Sequence, residues 1–252
     1  MTAKLFDRPI AHRGLHDRAN GVIENSRSAF EAAIAHRYAI ECDVQLSSDG
    51  VPFIFHDDEF DRLTAANGRS DRLPIAEVQK LVLTGSATNE VPQRFTEFLE
   101  QIAGRAMLQI ELKQQTSPAK TRALAHAVAT ALAGYSGPYS LESFDPSLLV
   151  ALRGERVRAP LGIITYGYDE AEWNTDLSGW QKFVLRHLLH WPWTRFTFIS
   201  CRNVSLFLPV VRFLRARGMT VTAWTITSPQ AAVAAARGAD QIVFEGFLPE
   251  SA

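Results

Sequence analysis

A chain of 252 residues that is 46% hydrophobic and 21% charged has the composition of a folded globular protein, which excludes disordered and fibrous classes. Two cysteines, Cys42 and Cys201, exclude a disulfide framework or a cysteine-rich zinc site; no run approaches the ~18 apolar residues of a membrane span, and the opening MTAKLFDRPIAHRG lacks a signal-peptide core, so we read a soluble, reduced, cytoplasmic protein. The net charge of -1 is uneven: residues 177–239 hold no Asp or Glu and carry +8, which fits either an anionic partner or a solvated basic surface.

In chain order, strand-like runs fall at 8–12, 39–46, 51–56, 106–113, 139–144, 159–165, 196–201, 220–226 and 241–244. Between them SAFEAAIAHR, TRALAHAVATALAG, VVRFLRARG and SPQAAVAAARG read as helices, several with Gly at the C-terminal stop. Alternating β and α over this length predicts one (β/α)8 barrel domain spanning 1–252, with a doubly wound sheet as the competing arrangement. Residues 60–95 break the rhythm with turn and short helical signals, and we read them as an excursion from the barrel.

Strand alternation places the acids. In IECDVQL, Glu41, Asp43 and Gln45 share one face and the apolar residues the other; in MLQIELK, Gln109, Glu111 and Lys113 do the same. In a parallel barrel the polar face points inward, so Glu41, Asp43 and Glu111 converge near the C-terminal strand ends. Two readings are open: the acids hold a hard cation, Mg²⁺ or Ca²⁺, or they form ion pairs with Arg13, Arg37 or Lys113. His12 and His56 each close a strand-like run, as core residues or as proton carriers. Arg13 and Lys113 add charge suited to an oxyanion. Trp224, near the end of VTAWTI, either walls the pocket or fills core.

The runs AHRG, ENSRSAFEAA and IECDVQLSSDGVPFIFHDDEFDRLTAANG, followed by IELK, SFDP and VTAWTI, resemble the glycerophosphodiester phosphodiesterase family. The resemblance implies a TIM barrel with a small insertion after the second strand. It implies a divalent metal on Glu41, Asp43 and Glu111, an acid–base pair of His12 and His56, and Arg13 and Lys113 beside the phosphate. Glu24 and Asn25 match a Glu-Asn element that supports the site. Departures are Ser26 for the usual Thr, Tyr38-Ala39 before the second strand, and the closing IVFEGFLPE. The implied partner is a small glycerophosphodiester and not a nucleic acid; its products are sn-glycerol 3-phosphate and an alcohol. Action on lysophospholipids and a non-catalytic phosphate- or lipid-binding role are the rivals. The sequence sets no oligomeric state.

No Walker loop, dinucleotide glycine pattern or GxSxG elbow is present. The stretch GWQKFVLRHLLHWPWTRF mixes Trp180, Trp191 and Trp193 with Lys182, Arg186 and Arg195. It reads either as a lid or weak membrane-surface contact on the active-site side of the barrel, or as an ordinary barrel helix.

Overall fold

A computed structural model describes residues 5–169 and 177–250. Eight parallel strands close into a barrel: β1 (Ile10–Ala11), β2 (Ala39–Leu46), β4 (Leu108–Leu112), β5 (Tyr139–Ser143), β6 (Leu161–Thr165), β7 (Phe198–Arg202), β8 (Thr220–Ile226) and β9 (Gln241–Phe244). Closure comes from β1, which pairs with β2 on one side and β9 on the other. The helices α1 (Arg27–Ala35), α3 (Phe95–Ile102), α4 (Pro118–Leu132), α5 (Pro146–Gly154), α6 (Gly179–Arg186), α7 (Trp191–Thr194), α8 (Pro209–Ala216) and α9 (Pro229–Ala235) lie in the connections. Several start where the sequence supplies a cap: the Ser26, Ser117 and Ser228 hydroxyls accept from the backbone three residues on, and Pro fills the first turn of α4 and α9. No helix among the described residues is long and apolar enough to cross a membrane.

The third strand-like run, 51–56, has a different role. It forms β3 (Pro52–Ile54), which folds back antiparallel on β2 and stays outside the parallel barrel. The excursion expected at 60–95 therefore begins earlier, with this hairpin, and includes the short helix α2 (Ile75–Val78) before α3. It carries a small core of its own, with Phe53, Phe55, Phe60, Leu63 and Val78 buried together.

Every residue of β2 is buried, but the two faces bury for different reasons. Ile40, Cys42, Val44 and Leu46 join the layer between strands and helices. The inward face is stratified: Ile10, Ala39, Phe198 and Val243 with Phe6 form an apolar plug in the N-terminal part of the barrel. Gly162 leaves the space the Phe198 ring occupies, since a Cβ there would collide with it. Above the plug, Gln109, Glu142 and Ser200 form a polar layer in which the Gln109 amide donates to Glu142 at 2.8 Å. The acids of β2 and β4 sit on top. Closing the N-terminal end with apolar side chains leaves the C-terminal end as the place for ligands.

Candidate active site

The β1–α1 turn begins the site. Arg13 and Gly14 both adopt positive φ (55° and 78°), so the chain reverses as β1 ends. Gly14 also packs so near α1 that a Cβ would lie 2.9 Å from Ala29. The reversal aims the Arg13 backbone N–H at Glu41, to which it donates at 2.7 Å. Arg13 Nη1 donates to Glu24 at 2.5 Å, and its Nε lies 3.5 Å from Asp43. Asn25, also at positive φ, donates from Nδ2 to Asp43 at 2.8 Å.

Glu41, Asp43 and Glu111 are brought together as strand alternation predicts. Asp43 and Glu111 are register partners on β2 and β4, and ligand atoms from all three acids lie within 4.8 Å of one another. Burial, then Asp43 and Glu111, pushes the Glu41 carboxyl well up; burial also raises Glu111. Burial opposes ionisation of Asp43 too, but Lys113, His56 and Arg13 outweigh it and hold that carboxyl well below the usual range. Lys113 Nζ sits 2.7 Å from Glu111 and 3.4 Å from Asp43, so part of the ion-pair reading is present as well. Among the described residues these acids pair with Arg13 and Lys113 and not with Arg37, whose carbonyl accepts from Arg8 at 3.1 Å. The donor set fits a hard cation: three buried carboxylates, no sulfur, and an Asp43 Oδ1 without a hydrogen-bond partner.

The two histidines reach this cluster by different routes. His12 directly follows β1, with its backbone N–H donating to Phe244 at 2.9 Å. His56 follows β3, so it arrives by the antiparallel hairpin and not on a barrel strand; Phe55 N–H bonds the Asp43 carbonyl at 3.1 Å. Each ring rests on a carboxylate. His12 Nδ1 lies 2.6 Å from Glu245, and His56 Nδ1 lies 2.5 Å from Asp57. Bonds from His12 and His16 hold Glu245 below the usual range; for Asp57, burial is outweighed by His56 and Arg62. Ionised carboxylates only accept, so each Nδ1 carries a proton and each Nε2 is left outside that bond. Burial lowers the pKa of His12 below 6.5, which favours its neutral form.

Several of these partners escaped sequence reasoning. Glu245 stands one residue past β9, whose register with β1 puts it beside His12; the closing FEG was noted only as a departure. Arg62 lay in view in DDEFDRL without a role. It donates to Asp57 at 2.5 Å and, through both terminal nitrogens, to Glu24 at 2.8 Å. Glu142, the β5 register partner of Glu111, is a fourth buried carboxyl, pushed up to about 8 by burial. Trp224 shows features of both its readings: it packs against the apolar plug and its indole N–H donates to the Ser200 carbonyl at 3.1 Å, and it also lines a cavity of about 550 Å³ with His12, Arg13, Glu41, His56 and Glu111. The tryptophan-rich segment divides. Helix α6 lines a second cavity next to the acids, whereas α7 leads directly into the start of β7, at the barrel's other end.

Glu24 allows a pH test. Burial raises its pKa, but the Arg62 and Arg13 guanidiniums prevail and hold it down to about 2, from 4.5. A depressed carboxylate contributes stability that is present above pH 4.5 and lost as pH falls toward 2. Glu24→Gln is therefore expected to remove on the order of 3 kcal/mol at neutral pH, with the gap to wild type closing through that window. Urea unfolding at stepped pH checks it; a constant gap across the window would refute it.

A parallel barrel whose C-terminal mouth carries an acid triad, two cations and two carboxylate-backed imidazoles has the donor set suited to a cation and an oxyanion together. The model of the glycerophosphoryl diester phosphodiesterase family matches residues 12–245, and the chain belongs to that family. Over 73 residues it is 37% identical to glycerophosphodiester phosphodiesterase 1 of Rattus norvegicus and 34% identical to that of Homo sapiens. The match covers 29% of this chain and 21% of each relative, so the chain spans about a fifth of their length. Among solved structures it is similar to an Oleispira antarctica phosphodiesterase in complex with the product sn-glycerol-3-phosphate, at 23% identity and TM-score 0.76, covering 94% of this chain and 91% of that one. It is also similar to a glycerophosphodiester phosphodiesterase from Thermotoga maritima, at 22% identity and TM-score 0.68, covering 93% and 92%. At such identities the likeness shows a shared fold.

Proposed function

We propose that this chain hydrolyses glycerophosphodiesters to sn-glycerol 3-phosphate and an alcohol, with a divalent metal. The observation that carries the reading is the buried cluster of Glu41, Asp43 and Glu111, flanked by Arg13 and Lys113 and by two imidazoles held through Nδ1. Glu41, Asp43 and Glu111 would hold Mg²⁺ or Ca²⁺, which when bound supplies neutralisation of phosphoryl charge and a lowered pKa for the attacking group. Lys113 and Arg13 add fixed positive charge beside the phosphate. One imidazole takes the proton from the attacking hydroxyl and the other protonates the departing alkoxide; where the neighbouring glycerol hydroxyl attacks, a water then opens the cyclic phosphate to sn-glycerol 3-phosphate with the same two proton transfers reversed in role. Glu245 and Asp57 fix the rings and stabilise the imidazolium. Trp224 walls the substrate cavity.

Turnover of a panel of glycerophosphodiesters, with and without EDTA, tests this reading. Release of glycerol 3-phosphate that EDTA stops and Mg²⁺ or Ca²⁺ restores is expected. No turnover with any divalent ion would leave a phosphate-binding scaffold in its place.

A weak contact with an anionic lipid surface is the second reading, and helix α6 carries it. Trp180 is 69% exposed and Phe183 46% exposed, and Lys182 lies between them. Co-sedimentation with anionic liposomes is expected at low salt, weaker at physiological salt, and lost in the Trp180→Ala/Phe183→Ala double variant. Absence of binding at low salt rejects it.

A further inference from the structure

Gln45, the last inward residue of β2, differs from the acids in what it binds. It follows Glu41 and Asp43 on the same face, nearer the mouth, and is 2% exposed. Its side-chain Nε2 reaches three consecutive residues: the His56 carbonyl at 3.4 Å, the Asp57 carbonyl at 3.1 Å and Asp58 Oδ1 at 3.4 Å. All three are acceptors, so the amide turns its nitrogen to them and not its oxygen. A buried donor spread over one short stretch fixes that stretch against β2.

The stretch contains one of the two imidazoles, and the two are mounted differently. His12 follows β1, which is paired on both sides within the barrel. His56 follows β3, which lies outside the parallel barrel in an excursion with a core of its own. The place of His56 relative to the acids therefore depends on how the excursion is tied to β2. Two ties bracket it. Phe55 N–H bonds the Asp43 carbonyl at 3.1 Å just before His56, and the Gln45 amide takes the carbonyls of His56 and Asp57 just after. Asp57 is also the carboxylate behind the His56 ring, at 2.5 Å. One amide thus holds the backbone of the imidazole residue and of the residue that orients it. It does so from the strand that carries Glu41 and Asp43.

We propose that Gln45 is a positioning residue: its amide locks the His56–Asp57 pair in place beside the acids without touching metal or substrate. The proposal rests on reading His56 as a proton carrier. Gln45 lines neither cavity at the acids, which separates it from groups that meet substrate directly. Proton transfer needs heavy atoms about 2.6–3.2 Å apart, and a misplacement of about 1 Å can cost about 10²-fold in rate. Loss of the amide therefore acts on rate and not on affinity, and through His56 and not through His12.

Gln45→Met keeps the side chain's length and removes the donor, whereas Gln45→Glu sets an acceptor against three acceptors. Gln45→Met is expected to lower kcat about 10–100-fold with KM within about threefold, and Gln45→Glu to lower kcat at least as much. The metal-induced rise in Tm of Gln45→Met should equal that of wild type, which also certifies its fold. In a His56→Ala background Gln45→Met should cost less than about threefold more, because the group it positions is gone; in a His12→Ala background its full cost should remain. A readout without turnover is NMR of protein labelled at histidine Cε1. The His56 signal, assigned by its loss in His56→Ala, is expected to be sharp in wild type and shifted or broadened in Gln45→Met, with the His12 signal unmoved. Wild-type kcat in Gln45→Met, a full cost that persists in His56→Ala, or an unaltered His56 signal overturns the proposal. Failure of wild type to turn over any diester would instead remove the phosphodiesterase reading, and the ring signal would still decide whether Gln45 holds His56.

Discussion

Glu111→Gln is expected to abolish metal-supported turnover without unfolding the barrel. Glu111 is buried on β4 opposite Asp43, and burial already makes its ionised form costly. In the metal-free protein the amide removes one of three mutually repelling charges, while Lys113 keeps Asp43 at 3.4 Å. The metal-free variant should therefore unfold within about 1 kcal/mol of wild type. The difference emerges when metal is added. A cation at about 100 times its Kd stabilises the native state by about 2.7 kcal/mol, which raises the Tm of a chain this long by about 5–10 °C. Loss of a ligand that weakens binding about 100-fold reduces that gain to about 0.4 kcal/mol at the same concentration. Thermal melts with and without Mg²⁺ or Ca²⁺, beside the activity assay, read both effects. Full activity at limiting metal, or an unchanged metal-induced Tm shift, would show that Glu111 is not a ligand.

Removing either imidazole should lower kcat by about 10²–10⁴-fold, with a much smaller change in KM. His12→Ala and His56→Ala differ from Glu111→Gln in leaving the acid triad intact, so metal should still raise their Tm. The carboxylates behind the rings should matter less: Glu245→Gln and Asp57→Asn are expected to cost about 10–100-fold, since each ring loses its orienting partner but keeps its Nε2. A diester with a very good leaving group does not need the acid, so it should rescue one histidine variant and not the other. A variant that retains wild-type kcat on a natural diester would show that its histidine only packs.

Much of this site was legible because a strand has a two-residue period. IECDVQL and MLQIELK each expose which residues share a face, and parallel pairing of β2 with β4 brings those faces together. The same local rules located four of the helices and the eight barrel strands, although α1 and α4 start earlier than the stretches read, at Arg27 and Pro118, behind the Ser26 and Ser117 caps. His56 was readable as a residue near the acids but not as one delivered by a hairpin. VPFIF has the apolar pattern of a buried strand, and nothing in that pattern distinguishes a barrel strand from an antiparallel partner. In GWQKFVLRHLLHWPWTRF, composition suggested one surface, whereas the chain puts α6 beside the acids and α7 before β7.

Local pattern alone pointed to the strands, to which face the acids share and to the two imidazoles at run ends, because strand alternation acts over a few residues. Tertiary structure decided what those groups touch. Glu245 meets His12 only because β9 closes on β1, 233 residues away along the chain. Arg62 joins Asp57 to Glu24, 38 residues earlier, only because the excursion folds over the β1–α1 turn. The second cavity is lined jointly by α6, by residues that follow β5 and β6, and by His56 and Glu111, which lie far apart in the chain. Such contacts depend on barrel closure and on the path of the excursion, which are global properties, and no local period in the sequence encodes them.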